Sequence, residues 1–92
     1  MKLIPGFVVR EVGGKTLAVA TGETAKTFHG MITLNGTGKE IWNALQTDVT
    51  EDEIVERLLK EFDVDRETAA RDVSAFVSKL REAGLLQEGR LR

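Results

Sequence analysis

The chain contains no cysteine. Neither a disulfide framework nor a thiolate metal site is therefore open to it, and nothing points to an oxidising compartment. Histidine and proline occur once each. The lone imidazole, His29, lacks the second nitrogen or sulfur ligand that a zinc site needs. No stretch approaches the roughly 20 consecutive apolar residues required to cross a bilayer, and residues 1–6 lack the charged segment and apolar run of a secretory signal. The expected setting is cytoplasmic, without a membrane. An excess of positive charge is missing too. Thirteen basic residues stand against 15 acidic ones for a formal charge of -2, the wrong sign for a partner built of phosphates.

What is present is a globular composition, 41% hydrophobic and 30% charged over 92 residues. That length fits a single domain, 1–92, with a small core of its own. Residues 7–12 and 15–21 are rich in Val, Thr and Leu and are separated by Gly13-Gly14, a spacing that predicts a β-hairpin. Residues 22–29 are polar and loop-like. Residues 30–34 predict a third strand, with Ile32 and Leu34 on its core face and Met31 and Thr33 on the other. Beyond Leu34 the apolar period moves from two towards 3.6, and three helices are predicted at about 37–46, 50–62 and 65–83.

Local signals bound each helix. Asn35 or Thr37 is placed to cap the first, and Thr37 and Glu40 have capping-box spacing. Thr50 and Glu53 repeat that spacing at the second, whose stripe is Ile54, Val55, Leu58, Leu59 and Phe62. Asp65 caps the third, and Gly84 ends it in a left-handed conformation. Its buried face reads as Ala69, Val73, Phe76, Leu80 and Ala83. Leu85 and Leu86 tuck back, and residues 87–92 fray. Short loops force the helices into a compact trio, with the last two forming a helix-turn-helix pair. The predicted class is α+β: a winged helix-turn-helix whose three-stranded antiparallel sheet precedes three helices.

No constellation in this pattern carries catalytic chemistry. Ser74 and Ser78 lie mid-helix with no histidine at helical spacing. Glu51, Asp52 and Glu53 crowd a helix start, where the dipole favours them without acid-base work. Gly36-Thr37-Gly38-Lys39 lacks the spacing of a phosphate loop. Trp42 falls on the apolar stripe of its helix and is assigned to the core. No catalytic residue, cofactor or metal is expected, and the chain reads as a binding module.

The surface offers more. A three-stranded sheet has two edges, and an edge strand of Gly30, Met31, Ile32, Thr33 and Leu34 exposes unpaired backbone groups unless the hairpin covers them. An extended peptide can add there as a further strand. Four or five main-chain hydrogen bonds at ~0.5–1.5 kcal/mol each, with one or two apolar side chains in a groove, reach micromolar affinity after association costs. The last helix supplies a candidate groove wall. Ala70 and Val77 extend its apolar face toward Ser74, Ser78 and Arg81, a shoulder that either receives a ligand or packs against the sheet.

The order of these pieces resembles the PqqD family, named for pyrroloquinoline quinone synthesis protein D, whose fold also serves as the precursor-peptide recognition element of ribosomal peptide pathways. The residues that carry the resemblance are Leu34-Asn35-Gly36-Thr37-Gly38-Lys39-Glu40-Ile41-Trp42, residues 50–62 with Ile54 and Leu58, Asp72-Val73 with Phe76 and Leu80, and Ala83-Gly84-Leu85-Leu86. One departure is Asp48-Val49, where the family often has Asp-Gly before the second helix. The resemblance implies a non-catalytic protein that binds the leader segment of a precursor peptide and presents it to a radical S-adenosylmethionine (SAM) enzyme. It implies that the leader lies as an added strand between the third strand and the last helix. The competing reading is a winged-helix DNA-binding regulator. Against it, Arg66, Arg71, Lys79 and Arg81 are offset along residues 65–83 by Asp65, Glu67, Asp72 and Glu82, which cancels the field of a recognition helix.

Overall fold

The computed structural model describes residues 1–28, 30–34 and 36–88. Gly13 and Gly14 have φ of +58° and +82°, the left-handed pair that a type I′ turn demands. The turn joins β2 (Phe7–Val12) to β3 (Lys15–Ala20), with Val12 opposite Lys15. β4 (Met31–Leu34) runs antiparallel to β3, Thr16 opposite Leu34 and Val19 opposite Met31, in the order β2-β3-β4. Gly30, expected as the first residue of this strand, is an exposed bend just before it.

Two features correct the expectations. Part of the segment read as loop, Thr24–Thr27, forms a one-turn helix, α1. Thr24 Oγ1 donates to the carbonyl of Pro5 at 2.8 Å, and the Phe28 amide closes the turn on Thr24 O at 2.9 Å. A single turn is too short to show helical periodicity. In addition, β1 (Lys2–Leu3) pairs antiparallel with β5 (Leu86–Gln87), tying together segments at the two ends of the fold. Gln87 was expected to fray, yet its Nε2 donates to Leu3 O at 3.3 Å, and Glu88 pairs with Arg81 at 3.2 Å. Residues 89–92 lie outside the described residues.

The helices are α2 (Gly36–Ala44), α3 (Glu51–Glu61) and α4 (Arg66–Glu82). At α3 both halves of the capping box form: the Glu53 amide donates to Thr50 Oγ1 at 3.1 Å and the Thr50 amide to Glu53 Oε1 at 2.8 Å. At α4 the Thr68 amide donates to Asp65 Oδ1 at 2.7 Å. Gly84, at φ +77°, ends α4 while Leu85 N reaches Leu80 O at 3.0 Å and Gly84 N reaches Arg81 O at 3.0 Å. This is the bond pair of a Schellman motif. The capping box expected at Thr37 and Glu40 does not form. The helix already includes Gly36, so Thr37 sits inside it, and Glu40 pairs with Arg57 of α3. Asn35, the other candidate cap, lies outside the described residues.

The helices cover one face of the sheet. Ala18, Ile32 and Leu34 project from that face into a core completed by Ile41, Trp42 and Leu45 of the α2 region, Ile54, Val55 and Leu58 of α3, and Ala69, Val73, Val77 and Leu80 of α4. Leu85 closes the end, as expected. Trp42 is buried and meets Phe7 edge-on, ring centres 5.2 Å apart. Phe28 continues the aromatic row, 5.9 Å from Phe7.

Candidate functional site: the cleft between β4 and α4

The register of the sheet decides which backbone groups of β4 are open. A two-residue hairpin closes on a hydrogen-bonded pair, here Val12 and Lys15, and bonding alternates sides along an antiparallel strand. Lys15, Leu17 and Val19 therefore bond to β2, whereas Thr16 and Ala18 bond to Leu34 and Ile32 of β4. Ile32 and Leu34 turn their peptide groups to β3. Met31 and Thr33 turn their N–H and C=O groups away from it, to a side where no described strand lies. The β2–β3 hairpin lies across the sheet from this edge and does not cover it.

Two hollows adjoin Lys79 of α4, one of them beside that edge. One, of about 220 Å³, is lined by Phe28, Met31, Ile32 and Thr33 on the sheet side and by Lys79, Leu80, Ala83 and Leu85 on the helix side. The other, of about 320 Å³, is lined by Thr37, Gly38 and Ile41 of α2 and by Asp72, Ala75, Phe76 and Lys79 of α4. Lys79 lines both. At about 100° per residue, Asp72, Ala75, Phe76, Lys79 and Ala83 share one side of α4. α1 matters because Phe28, the residue that follows it, forms part of the floor.

The structure brings Met31, Ile32 and Thr33 to this cleft. Leu34 is buried and lines a different hollow, near the hairpin turn. On the helix the outcome differs from the expected shoulder. Val77 is wholly enclosed in the core, with no exposed surface. Ala70, Ser74, Ser78 and Arg81 are exposed but lie on the far side of the core stripe from Lys79, and none lines either hollow. Conversely, Phe76 and Ala83, read as core, are partly buried and exposed respectively and form the cleft wall. The physical reason is a narrow ambiguity. Ala69, Val73 and Leu80 fix the centre of the buried stripe, but Phe76 and Val77 flank it on opposite sides, and both are apolar. Lys79, Asp72, Ala75 and Phe28 were not singled out as site residues. The available signal was the spacing of Asp72, Lys79 and Ala83, two successive helical steps along one face.

Among the described residues no group of three or more His, Cys, Asp and Glu is placed to hold a metal ion. Among the described residues no helix is long and apolar enough to cross a membrane. Two of the four α4 cations are taken up in ion pairs, Arg66 with Glu56 at 2.6 Å and Arg81 with Glu88 at 3.2 Å. Asp65, at the N-cap, has its carboxyl held below the usual carboxylate range by hydrogen bonds from the Thr68 side chain and amide, assisted by Arg71.

The sequence matches the profile of the family described as Coenzyme PQQ synthesis protein D (PqqD) over residues 13–86. The chain belongs to the PqqD family. The matched span holds the whole cleft, from the β3 strand that carries β4 to the end of α4. Among solved structures, "TbiB1 in Complex with the TbiA(beta) Leader Peptide" is similar at a TM-score of 0.70 and 26% identity, covering 100% of this chain and 100% of that one. "Lasso peptide synthetase B1 complexed with the leader peptide" is similar at a TM-score of 0.66 and 24% identity, covering 91% of this chain and 93% of that one, and shares the fold. No curated protein matches. This PqqD-family chain thus has the α+β arrangement, a three-stranded antiparallel sheet backed by helices, found in those two proteins.

Proposed function

We propose that this chain is a peptide-recognition module that captures the leader segment of a ribosomally made precursor peptide by strand addition along β4. The observation that carries the reading is the unpaired outer edge at Met31 and Thr33, set beside one hollow that can receive a guest side chain and, past Lys79, a second hollow between α2 and α4. Four outward backbone groups at ~0.5–1.5 kcal/mol per hydrogen bond, with two apolar side chains entering the hollows, suffice for micromolar binding once association costs are met. Family membership and the leader-peptide complexes of the two similar structures support it. The module acts by holding and presenting, with residues 1–92 as one recognition domain. On the helix we assign the contact surface to Phe76, Lys79 and Ala83, rather than to Ala70, Ser74, Ser78 and Arg81.

The module presents its peptide to a modifying enzyme, and the family resemblance favours a radical SAM enzyme as that partner. A DNA-binding role is disfavoured by the pairing of Arg66 and Arg81 with carboxylates and by the net negative charge.

The test is an amide-shift titration with synthetic leader peptides of ribosomal precursors encoded in the same genome. Shifts confined to Met31, Thr33 and the residues of α4 from Asp72 to Ala83 are expected. Absence of shifts at high micromolar peptide would sink the reading. Co-purification with a radical SAM enzyme encoded in the same cluster checks the partner.

A further inference from the structure

The side chain of Lys79 is the one charged group shared by both hollows, and among the described residues it has no hydrogen bond or ion pair. The other cations of α4 differ: Arg66 and Arg81 are held by Glu56 and Glu88, and Arg71 lies within the field of Asp65. The remaining lining of the two hollows is apolar or neutral apart from Asp72, two helical turns from Lys79 at the far end of the second hollow. A lysine side chain that lines both hollows, one of them beside an open strand edge, is placed to select charge in whatever strand adds there.

We propose that Lys79 is a specificity-determining residue that reads a carboxylate side chain of the guest peptide, placed midway between two apolar side chains that enter the hollows. The spacing follows from elementary geometry. Ala83 and Phe76, which mark the two hollows on α4, are seven residues apart, about 10 Å along a helix. Successive side chains on one face of a strand are about 6.7 Å apart, and alternate ones about 13 Å. One such step falls short of the separation and two span it, so a guest strand that fills both hollows presents apolar residues four positions apart, and the intervening residue on the same face falls beside Lys79. The class of ligand is an extended segment of the pattern apolar, any, acidic, any, apolar. Asp72 adds a repulsive element, because an acidic residue shifted toward the second hollow meets a carboxylate.

The inference deepens the leader-binding reading and rests on it, so its test must separate the two. A random peptide library of about twelve residues, displayed on phage, is selected against the wild-type chain, Lys79→Glu and Thr33→Pro, each first shown to be folded by circular dichroism. Lys79 is exposed, and Thr33 turns its amide away from β3, so both variants keep the core and ladder. The expected result is enrichment of the acidic pattern by wild type, a switch to Lys or Arg at the middle position with Lys79→Glu, and loss of enrichment with Thr33→Pro. Replacing the acid by its amide in a selected peptide is expected to weaken wild-type binding about two- to fivefold, as for a charge-assisted contact at an exposed site. If wild type and Lys79→Glu enrich the same apolar pattern with no charge preference, the Lys79 assignment is wrong while strand addition stands. If Thr33→Pro enriches the same peptides as wild type, or no peptide is enriched by any of the three, strand addition along β4 fails and the Lys79 assignment falls with it.

Discussion

The sheet has two outer edges, and they are built differently. Val9, Ala18 and Ile32 form one cross-strand row on the same face, yet Val9 is 48% exposed whereas Ile32 is 5% exposed. β2 touches the helices through Phe7 on Trp42 and Glu11 with Lys39, while its Val8, Val9 and Val12 are exposed, and it carries Arg10 and Glu11. Charges of this kind blunt an edge against unwanted pairing. β4 has no charge, and a hollow lies beside it. An unpaired backbone alone therefore does not make a peptide site. What distinguishes β4 is the hollow at its side, which under the proposed strand addition would supply selectivity next to the main-chain groups that would supply much of the affinity.

The largest effect that sharpens this contrast is on stability. Ile32→Ala removes a buried side chain beneath β4 and is expected to cost about 2–5 kcal/mol, whereas Val9→Ala in the same row is expected to stay within about 0.5 kcal/mol. Urea unfolding of the two variants measures the difference. Equal costs would mean that β2 is seated on the core as firmly as β4. Next comes binding. Thr33→Pro deletes an outward amide without touching the ladder to β3, and loss of a guest hydrogen bond with an orphaned carbonyl is expected to weaken a leader peptide by about 1–3 kcal/mol. Val9→Pro deletes the corresponding outward amide of β2, and leader affinity is expected to be unchanged. A calorimetric titration in which both variants bind alike would erase the distinction between the edges.

Which parts of this arrangement were legible in the amino-acid order follows from how local their causes are. The Gly13-Gly14 turn, the Thr50-Glu53 box and the Gly84 terminus are set by residues within one turn of each other, and each forms as read. The strand β4 and its core pair Ile32 and Leu34 were likewise visible through alternation. Pairing of Lys2–Leu3 with Leu86–Gln87 was not, because two-residue strands have no period and their partners are some 80 residues apart. The unpaired edge of β4 was legible, and which face of α4 lines the hollows was not. Phe76 and Val77 are adjacent apolar residues about 100° apart on the wheel, and only the seating of α4 against α2 and α3 decides that Val77 goes into the core and Phe76 borders the cleft.

That choice of face is itself open to a smaller but direct test. Ala83→Trp puts an indole into the hollow lined by Phe28 and Met31, and is expected to weaken leader binding about tenfold by occupying the space of a guest side chain. Ser74→Trp, on the opposite shoulder, is expected to leave affinity within a factor of about two, since Ser74 lines neither hollow. Fluorescence anisotropy of a labelled leader measures both. The reverse order of effects would return the site to the Ala70, Ser74 and Arg81 side.

The smallest effect lies at the foot of the cleft wall. Asp65 anchors the start of α4 by accepting from Thr68, and those hydrogen bonds hold its carboxyl below the ordinary range. A carboxyl group whose folded value is depressed stabilises the fold above its unfolded value near 3.9, and that contribution disappears as pH falls through the folded value. Asp65→Ala is therefore expected to lower Tm slightly near pH 7, with the gap from wild type narrowing toward pH 3. Because α4 walls β4 and leaves β2 uncovered, the loosening should appear in hydrogen exchange of the α4 amides near Thr68 and leave the β2-β3 amides unmoved. A gap in Tm that is constant from pH 7 to pH 3 would show that the Asp65 carboxylate does not act through its charge.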